Sequence, residues 1–184
     1  MRFVAAIFVL FVLSCTSNSN SSILDDDGDL LEEVAKDVEI LYSDSAVIKV
    51  RIISPTMKRY NLRHESYDEF PDGLLVEFLD SRHRVTSWLE ADYAIRKDKE
   101  KKIYVESNVI LLNKQKDKLI TEALVWDEGS KEIYTTRPVK IIQPTRGDTS
   151  YGHGFKADQE FTRFEIKKQF SAIKNDELIT QDLK

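Results

Sequence analysis

Apolar and polar residues alternate with a period of two along most of the chain from Val38 onward, and helical spacing is scarce. This alternation is typical of antiparallel strands with one buried and one exposed face. Turn signals at residues 43–45 and 71–73 separate the segments, and Pro55 is expected to end the second strand. The predicted strands cover residues 38–42, 46–53, 74–79, 85–95, 103–112, 119–126, 133–142, 150–157 and 161–167.

Sorting the middle strands by face separates an almost uncharged set from a charged one. The charged face includes Glu90, Glu106 and Lys140, whereas Arg137 is the single charge on the other face, which we expect to line the interior. The members of the interior face are Val85, Ser87, Leu89, Ala91, Tyr93, Ile95, Ile103, Val105, Ser107, Val109, Leu111, Leu119, Thr121, Ala123, Val125, Ile133, Thr135, Arg137, Val139 and Ile141.

A weak internal repeat accompanies the alternation. Ile103 and Ile133 each follow a charged turn and precede a tyrosine, and Val109 and Val139 keep the same offset from them. Repeats of a strand, a charged turn and a strand favour stacked β-layers around a central core or groove. We therefore predict an all-β fold.

The N-terminus carries a different signal. Arg2 precedes an apolar run at residues 3–13, which is too short to span a bilayer because a spanning helix needs about 20 apolar residues. A basic start, a short apolar stretch and small residues indicate a secretory signal. Residues 12–15 resemble a lipobox, so Cys15 is predicted to be acylated. The alternatives are an ordinary signal with a chance cysteine, or a short membrane anchor.

A polar tether and an acidic run follow at residues 16–29. The acidic run invites comparison with an EF-hand loop. Placing Gly28 at the sixth position puts the apolar Ile23 and Val34 at ligand positions, so the template fails. An acidic linker leading into a short helix at residues 30–36 is the remaining interpretation.

Composition limits the number of domains and the classes of function that the chain can have. The chain has 184 residues, of which 41% are hydrophobic and 32% charged, as expected for one folded domain. A net charge of −5 and a pI near 5.3 argue against a general nucleic-acid binder, whose affinity comes mainly from neutralising phosphates.

Candidate chemistry is sparse. His64, His83 and His153 lie in separate elements without ligand spacing, and the single cysteine leaves no partner for a zinc site or a disulfide. No nucleophile elbow or phosphate loop is present, so we expect neither an enzyme nor a cofactor. Trp88 and Trp126 fall on the mostly polar face, where packing against a neighbouring layer is the favoured role.

The stretch YGHGFKAD at residues 151–158 spaces its glycines like a dinucleotide-binding loop, with Ala157 as a permitted variant of the last glycine. Residues 161–166 continue as a strand, however, and no helix opens there. Gly152 and Gly154 would leave one face of the strand empty, as at a bend or a close approach of backbones. The other face would carry Tyr151, His153, Phe155 and Ala157.

These segments together resemble the LptC family, the periplasmic subunit of the lipopolysaccharide export machine. The resemblance rests on residues 70–74 (FPDGL), 91–94 (ADYA), 151–159 (YGHGFKADQ) and 161–162 (FT), and it extends over about residues 38–173. The hairpin at residues 38–45 is also similar to the start of the family's fold.

The resemblance implies an open, twisted β-jellyroll of stacked antiparallel strands in the periplasm. Such a protein receives lipopolysaccharide from an inner-membrane ABC transporter and passes it to a periplasmic bridge protein of the same fold. Acyl chains would lie in an apolar groove. The groove candidates are Val76, Phe78, Leu89, Ala91, Tyr93, Val105, Val109, Leu111, Ala123, Val125, Val139, Ile141 and Phe155.

The resemblance also places the contact with the bridge protein at the C-terminal end of the jellyroll. The candidates for this docking edge are Gly152, Gly154, Phe155, Phe161, Phe164 and Ile166. Familiar members are held by a transmembrane helix, whereas here a lipidated Cys15 is expected to hold the protein at the inner membrane. The alternative is a structural envelope lipoprotein without lipid cargo.

The expected organisation follows from these assignments. It comprises a signal peptide at residues 1–14, a lipidated tether and linker at 15–37, the jellyroll at 38–173 and a C-terminal tail at 174–184.

Overall fold

The computed structural model describes residues 31–61 and 65–174, which form eleven strands and one short 3-10 turn at Pro144–Arg146. The strands are β1 Leu31–Asp44, β2 Val47–Asn61, β3 Ser66–Phe70, β4 Leu74–Leu79, β5 Val85–Ala91, β6 Tyr93–Lys97, β7 Lys102–Asn113, β8 Lys118–Asp127, β9 Glu132–Gln143, β10 Asp148–Asp158 and β11 Phe164–Lys174. The predicted all-β fold is confirmed.

One antiparallel sheet contains all of these strands, in the order β11-β10-β9-β8-β7-β5-β4-β2-β3-β6, with β1 paired to β2 and β6 also paired to β7. Strand β2 pairs with β4 through residues 50–53 and with β3 through residues 58–61. Strand β7 likewise pairs with β5 through residues 110–113 and with β6 through residues 102–106. The sheet therefore folds into a first layer containing β4 and β5 and a second layer containing β3 and β6.

Strands β7 to β10 pass from one layer to the other, and their register shifts fall along one line across the sheet. The register shifts between Glu106 and Val109 in β7, between Thr121 and Val125 in β8, and between His153 and Phe155 in β10. These shifts lie opposite one another across the ladders, and β-bulges bend the strands that carry them. We call this the bend line, and it gives the molecule the open jellyroll that the sequence predicted.

The core lies between the two layers. Its largest fully buried side chains are Phe70, Phe78, Phe155, Phe161, Ile52, Leu89, Ile103, Leu111, Leu119, Leu124, Ile133 and Ile141. Strands β7 and β9 bury their residues in the same order, so the weak repeat around Ile103 and Ile133 corresponds to two equivalent strands. Burial of apolar surface at about 25 cal/mol per Å² stabilises this stack.

Several local predictions are wrong. Residues 31–36 belong to β1 and not to a short helix. Strand β2 continues past Pro55. That residue lies between the segment that pairs with β4 and the segment that pairs with β3, so neither of these strands needs the backbone N–H that proline lacks. Strand β3 was missed, and the segment predicted at 85–95 is two strands separated at Asp92.

Candidate functional site: the interior and its mouth

Most of the predicted groove residues lie in the interior. They occupy strands from both layers, and their side chains are nearly or fully inaccessible to solvent. The buried members are Val76, Phe78, Leu89, Ala91, Val105, Val109, Leu111, Val139, Ile141 and Phe155. The interior is therefore a continuous apolar surface that reaches from β4 to β10, and the described residues pack it closely.

Tyr93, Ala123 and Val125 do not lie in the core, and their predicted position is wrong. A register shift reverses the alternation within β8, so Leu124 and Trp126 point inward in place of their neighbours. A similar change at the break between β5 and β6 takes Tyr93 out of the interior. Strict alternation cannot anticipate such a shift, because one extra residue moves every later side chain to the opposite face.

The charge that interrupted the predicted interior face also turns outward. Arg137 is exposed, as is Ser107 at the equivalent position of β7. Both residues lie on the bend line, where three consecutive side chains of each strand are exposed. The interior faces of β7, β8 and β9 consequently carry no charged side chain.

The two layers meet again at the end of the interior opposite the bend line, and we call this end the mouth. A cleft of about 320 Å³ lies there, lined by Tyr42, Val50 and Leu79 from the first layer and by Trp126, Lys131 and Gln159 from the second, among others. Trp126 is only 3% exposed and meets Phe78 edge to face, with ring centroids 4.9 Å apart. The mouth is thus the place where the cavity reaches the core.

A cluster of charges flanks the mouth. The Arg96 guanidinium lies 2.8 Å from Glu128 and 3.7 Å from Asp68, a side chain that is only 1% exposed. Arg59 holds the same aspartate at 2.7 Å. Buried charges need such partners, since an unpaired one costs several kcal/mol.

Tyr42 of β1 covers this cluster, with its ring centroid 5.2 Å from Arg96. Burial raises the pKa of Tyr42 to about 12, and the nearby Arg96 works in the opposite direction. The phenol therefore stays neutral at ordinary pH and contacts Arg96 through its ring. Asp44 of the same strand reaches Lys131 of the second layer at 3.7 Å, so β1 is tied across the mouth by polar contacts.

The predicted docking residues divide between two strands and a turn. Gly152, Gly154 and Phe155 lie in β10, which is paired on both sides by β9 and β11. Their predicted position at an edge is wrong, because β11 covers them. Phe164 and Ile166 lie on β11, which is an edge strand, and their side chains pack partly against the core. Phe161 is buried in the turn between the two strands.

The glycines of β10 confirm the close approach that the sequence predicted. A Cβ atom at Gly152 would lie 2.2 Å from Ile166 Cγ2 and 2.7 Å from the Lys168 carbonyl oxygen. Gly154 has a φ of +76° at the bend, a conformation that other residues rarely adopt. This bend turns Phe155 and Ala157 inward, so they do not share a face with Tyr151 and His153 as the alternation predicted.

The sheet has two unpaired edges in the part of the chain that the structure describes, β1 and β11. Each has partly buried apolar side chains on its inner side, such as Ile40 of β1 and Ile166 of β11. Each also exposes apolar side chains, including Leu41, which is 51% exposed, and Phe170. Unpaired edges offer backbone donors and acceptors to another strand.

Sequence reasoning missed Asn113 and Gln159, two buried polar residues at the mouth. Asn113 continues the inward positions of Val109 and Leu111, so an amide at an inward position was the available signal. No group of His, Cys, Asp and Glu within residues 31–61 and 65–174 is arranged to hold a metal ion. Cys15 and His64 lie outside the described residues.

A folded β-sheet with an apolar interior, a cleft at its mouth and, within the described residues, two unpaired edges defines a carrier or scaffold class of protein. The chain matches the family described as lipopolysaccharide-assembly, LptC-related, over residues 5–174. It therefore belongs to the LptC-related family, whose role is lipopolysaccharide transport in the cell envelope. A search of curated proteins gives no match. None of the described helical segments is long and apolar enough to cross a membrane.

Proposed function

We propose that this protein binds the acyl chains of lipopolysaccharide between its two layers. It receives the lipid from the inner-membrane ABC transporter and passes it to a periplasmic bridge protein of the same fold. The observation that carries the proposal is the apolar interior, which runs from β4 to β10 and reaches the cleft at the mouth. No enzymatic step or cofactor is needed for such a transfer.

The physical requirement is coverage of apolar surface. Each buried methylene is favoured over an exposed one by about 0.8 kcal/mol, so a lipid with several acyl chains does not cross an aqueous compartment uncovered. Side chains such as Leu89, Val105 and Ile141 offer neither charge nor hydrogen bonds to oppose those chains. An interior of this kind accepts hydrocarbon without chemical specificity, which suits a carrier.

The two edges support directional transfer. A partner of the same fold would add a strand to β11, whose backbone groups are unpaired along one side in the described part of the chain. Phe164 and Ile166 already contact the core from this strand, so the apolar surface would continue into the partner. Strand β1 offers the corresponding edge towards the transporter.

A second candidate function rests on the close packing of the core. Ile52, Val76 and Leu119 are fully buried, and acyl chains would reach them only if the layers moved apart. A structural envelope protein without cargo needs no such movement. Depletion of the protein in cells distinguishes the two candidates, because a carrier's loss lowers surface lipopolysaccharide and a scaffold's loss leaves it unchanged.

Photo-crosslinking tests lipid binding by comparing neighbouring inward and exposed residues of the edge strands. A photoreactive side chain at Ile40, which faces the core, should capture lipopolysaccharide in cells, whereas one at the exposed Leu41 should not. Ile166 and the exposed Glu165 form the equivalent pair on β11. Equal capture at both members of each pair would contradict binding inside the jellyroll.

We also propose that Cys15 is lipidated and holds the protein on the periplasmic side of the inner membrane. Several acyl chains on one residue suffice for stable attachment, whereas a single chain gives only marginal binding. The variant Cys15→Ala should lose labelling by a fatty-acid probe. Unchanged labelling of this variant would refute the proposed anchor.

A further inference from the structure

Phe161 occupies an unusual position in the turn between β10 and β11. Its backbone has a φ of +51°, in the left-handed region that bulky residues rarely adopt. Among the described non-glycine residues with positive φ, it is the only buried one, with an exposure of 1%. A strained backbone combined with a buried ring needs strong support from its surroundings.

The ring is held mainly by the second layer. Phe161 packs against Phe155 and Phe164, with ring centroids 5.8 and 5.4 Å away. The turn is closed locally, because the Phe161 N–H donates to the Asp158 carbonyl oxygen at 3.0 Å and Thr162 donates to the Asp158 carboxylate at 2.7 Å. The turn therefore belongs to the second layer and would move with it.

The first layer holds the same turn by two buried hydrogen bonds. The Ser87 hydroxyl of β5 donates to the Gln159 carbonyl oxygen at 2.6 Å, and Asn113 Nδ2 at the end of β7 donates to the Phe161 carbonyl oxygen at 2.8 Å. Both donors are almost fully inaccessible to solvent. These bonds cross the mouth between layers, so they can break without disturbing any strand pairing.

We propose that residues 159–162, with Ser87 and Asn113, form a latch that holds the mouth shut with Phe161 as its plug. Release of the two hydrogen bonds frees the turn from the first layer, so the Phe161 ring moves away from that layer together with Phe155 and Phe164. The apolar interior then becomes accessible from the cleft beside Trp126. The use of this opening to admit acyl chains rests on the proposed function, whereas the latch itself does not.

The closed mouth also leaves a polar group of Trp126 without a hydrogen-bond partner among the described residues. Its indole N–H is buried and has no hydrogen-bond acceptor among the described residues. Burying a donor without a partner disfavours the closed arrangement. Opening the mouth would return this donor to solvent or present it to a ligand, so the latch must offset the free-energy cost of the buried indole N–H.

Two variants and a control test the latch in the full-length protein with Trp88→Phe, so that Trp126 is the only remaining tryptophan. Ser87→Ala and Asn113→Ala each remove one of the two hydrogen bonds across the mouth, which should raise the population of the open mouth by about fivefold. Asn113→Ala also removes the hydrogen bonds between Asn113 and Asp117 in the turn after β7, so faster exchange in that turn is expected for this variant alone. The control is Asn108→Ala, which removes an exposed asparagine that bonds to Asp92 on the bend line. The readouts are acrylamide quenching of Trp126 and hydrogen exchange of the amides of residues 159–162.

The latch predicts faster quenching and faster exchange at residues 159–162 in both variants, with exchange in β4 and β9 unchanged and no local effect in the control. Unchanged quenching and exchange would overturn it. A uniform increase of exchange across the sheet would also overturn it, because it would mean a general loss of stability.

Purified lipopolysaccharide is then added to the same proteins to test the cargo separately. Local loosening together with faster lipopolysaccharide binding supports both the latch and the proposed function. Local loosening without lipopolysaccharide binding by any of the proteins, the parent included, supports the latch and contradicts the cargo. Lipopolysaccharide binding at the same rate in the parent and both variants contradicts a latch that controls admission.

Discussion

Buried polar side chains occur at both ends of the interior, and they differ in what they connect. At the bend line, the Thr121 hydroxyl donates to the Pro138 carbonyl oxygen at 2.9 Å and the Thr135 hydroxyl donates to that of Ala123 at 2.6 Å. Both bonds run between neighbouring strands of the same sheet. At the mouth, Ser87 and Asn113 donate across the gap between layers.

We therefore distinguish contacts that hold neighbouring strands together from contacts that can break while the sheet stays intact. The threonines bond to carbonyl groups of the neighbouring strand beside the bulges, so their loss weakens the sheet itself. The mouth bonds join two surfaces that are otherwise held by side-chain packing and by the ion pair between Asp44 and Lys131. The fold can therefore remain stable along the bend line while the mouth opens. Opening one region costs less free energy than unfolding the whole protein.

The largest expected effect comes from filling the space at Gly152, next to the bend line. Gly152→Ala places a methyl group 2.2 Å from Ile166 Cγ2, so β11 must move away from β10. Overpacking of this kind costs about 3 kcal/mol of unfolding free energy, measured by urea denaturation. Gly129→Ala is the matched control, because its nearest neighbour is the Asp127 side chain at 3.3 Å. Equal stability of the two variants would contradict the close packing of β10 and β11.

A smaller global effect is expected for Thr135→Val. The Thr135 hydroxyl also accepts the Arg137 N–H at 3.0 Å, so valine removes two hydrogen bonds to backbone groups at the bend. The expected loss is about 2 kcal/mol of unfolding free energy. Thr136→Val, at the exposed neighbour, should cost far less. If Ser87→Ala lowered the global unfolding free energy as much as Thr135→Val, the contrast between bend and mouth would be lost.

The smallest effect concerns pH and should be confined to the mouth. Burial works against the charged form of Asp158, but the hydrogen bonds donated by Thr162 and Arg163 outweigh it, so its pKa lies below the ordinary value. A depressed pKa stabilises the folded turn above the unfolded value near 3.8, and this stabilisation is lost as the pH falls through the folded pKa.

Acidification from pH 5 to pH 3 should therefore increase acrylamide quenching of Trp126 in the Trp88→Phe protein. Asp158→Asn should flatten this dependence, since the amide does not titrate. The buried hydroxyls of Thr121 and Thr135 at the bend line do not titrate, so the protection of nearby amides, taken relative to the intrinsic exchange rate at each pH, should not change. A pH profile that is identical with and without Asp158 would exclude this carboxylate as the cause.

The sequence predicted the parts of the fold where alternation is uninterrupted. Strands β7 and β9 were found because Ile103, Val105, Ile133 and their successors alternate cleanly on both sides of the bend. The alternation failed where a bulge or a break adds a residue, which is why Ala123 and Val125 were placed inside and Trp126 outside. No local composition marks these shifts, because they arise from the curvature of the whole sheet.

The mouth was the hardest part to predict. Phe161 was assigned to a strand by its apolar character, yet it lies in a turn whose conformation depends on Asn113, 48 positions away in the sequence. Strand β3 was missed because its inward residue Asp68 is polar and is buried only through its pairs with Arg59 and Arg96. Both features depend on long-range partners that periodicity does not reveal.

The most direct test of the central claim uses a deep pair of neighbouring residues in β7. A leucine-sized diazirine side chain is placed either at Val105, which is fully buried, or at the exposed Glu106, and cells are irradiated during lipopolysaccharide synthesis. Acyl chains that lie between the layers predict lipopolysaccharide adducts at Val105 and none at Glu106. Adducts at Glu106 alone, or at neither position while export proceeds, would contradict lipid binding in the interior.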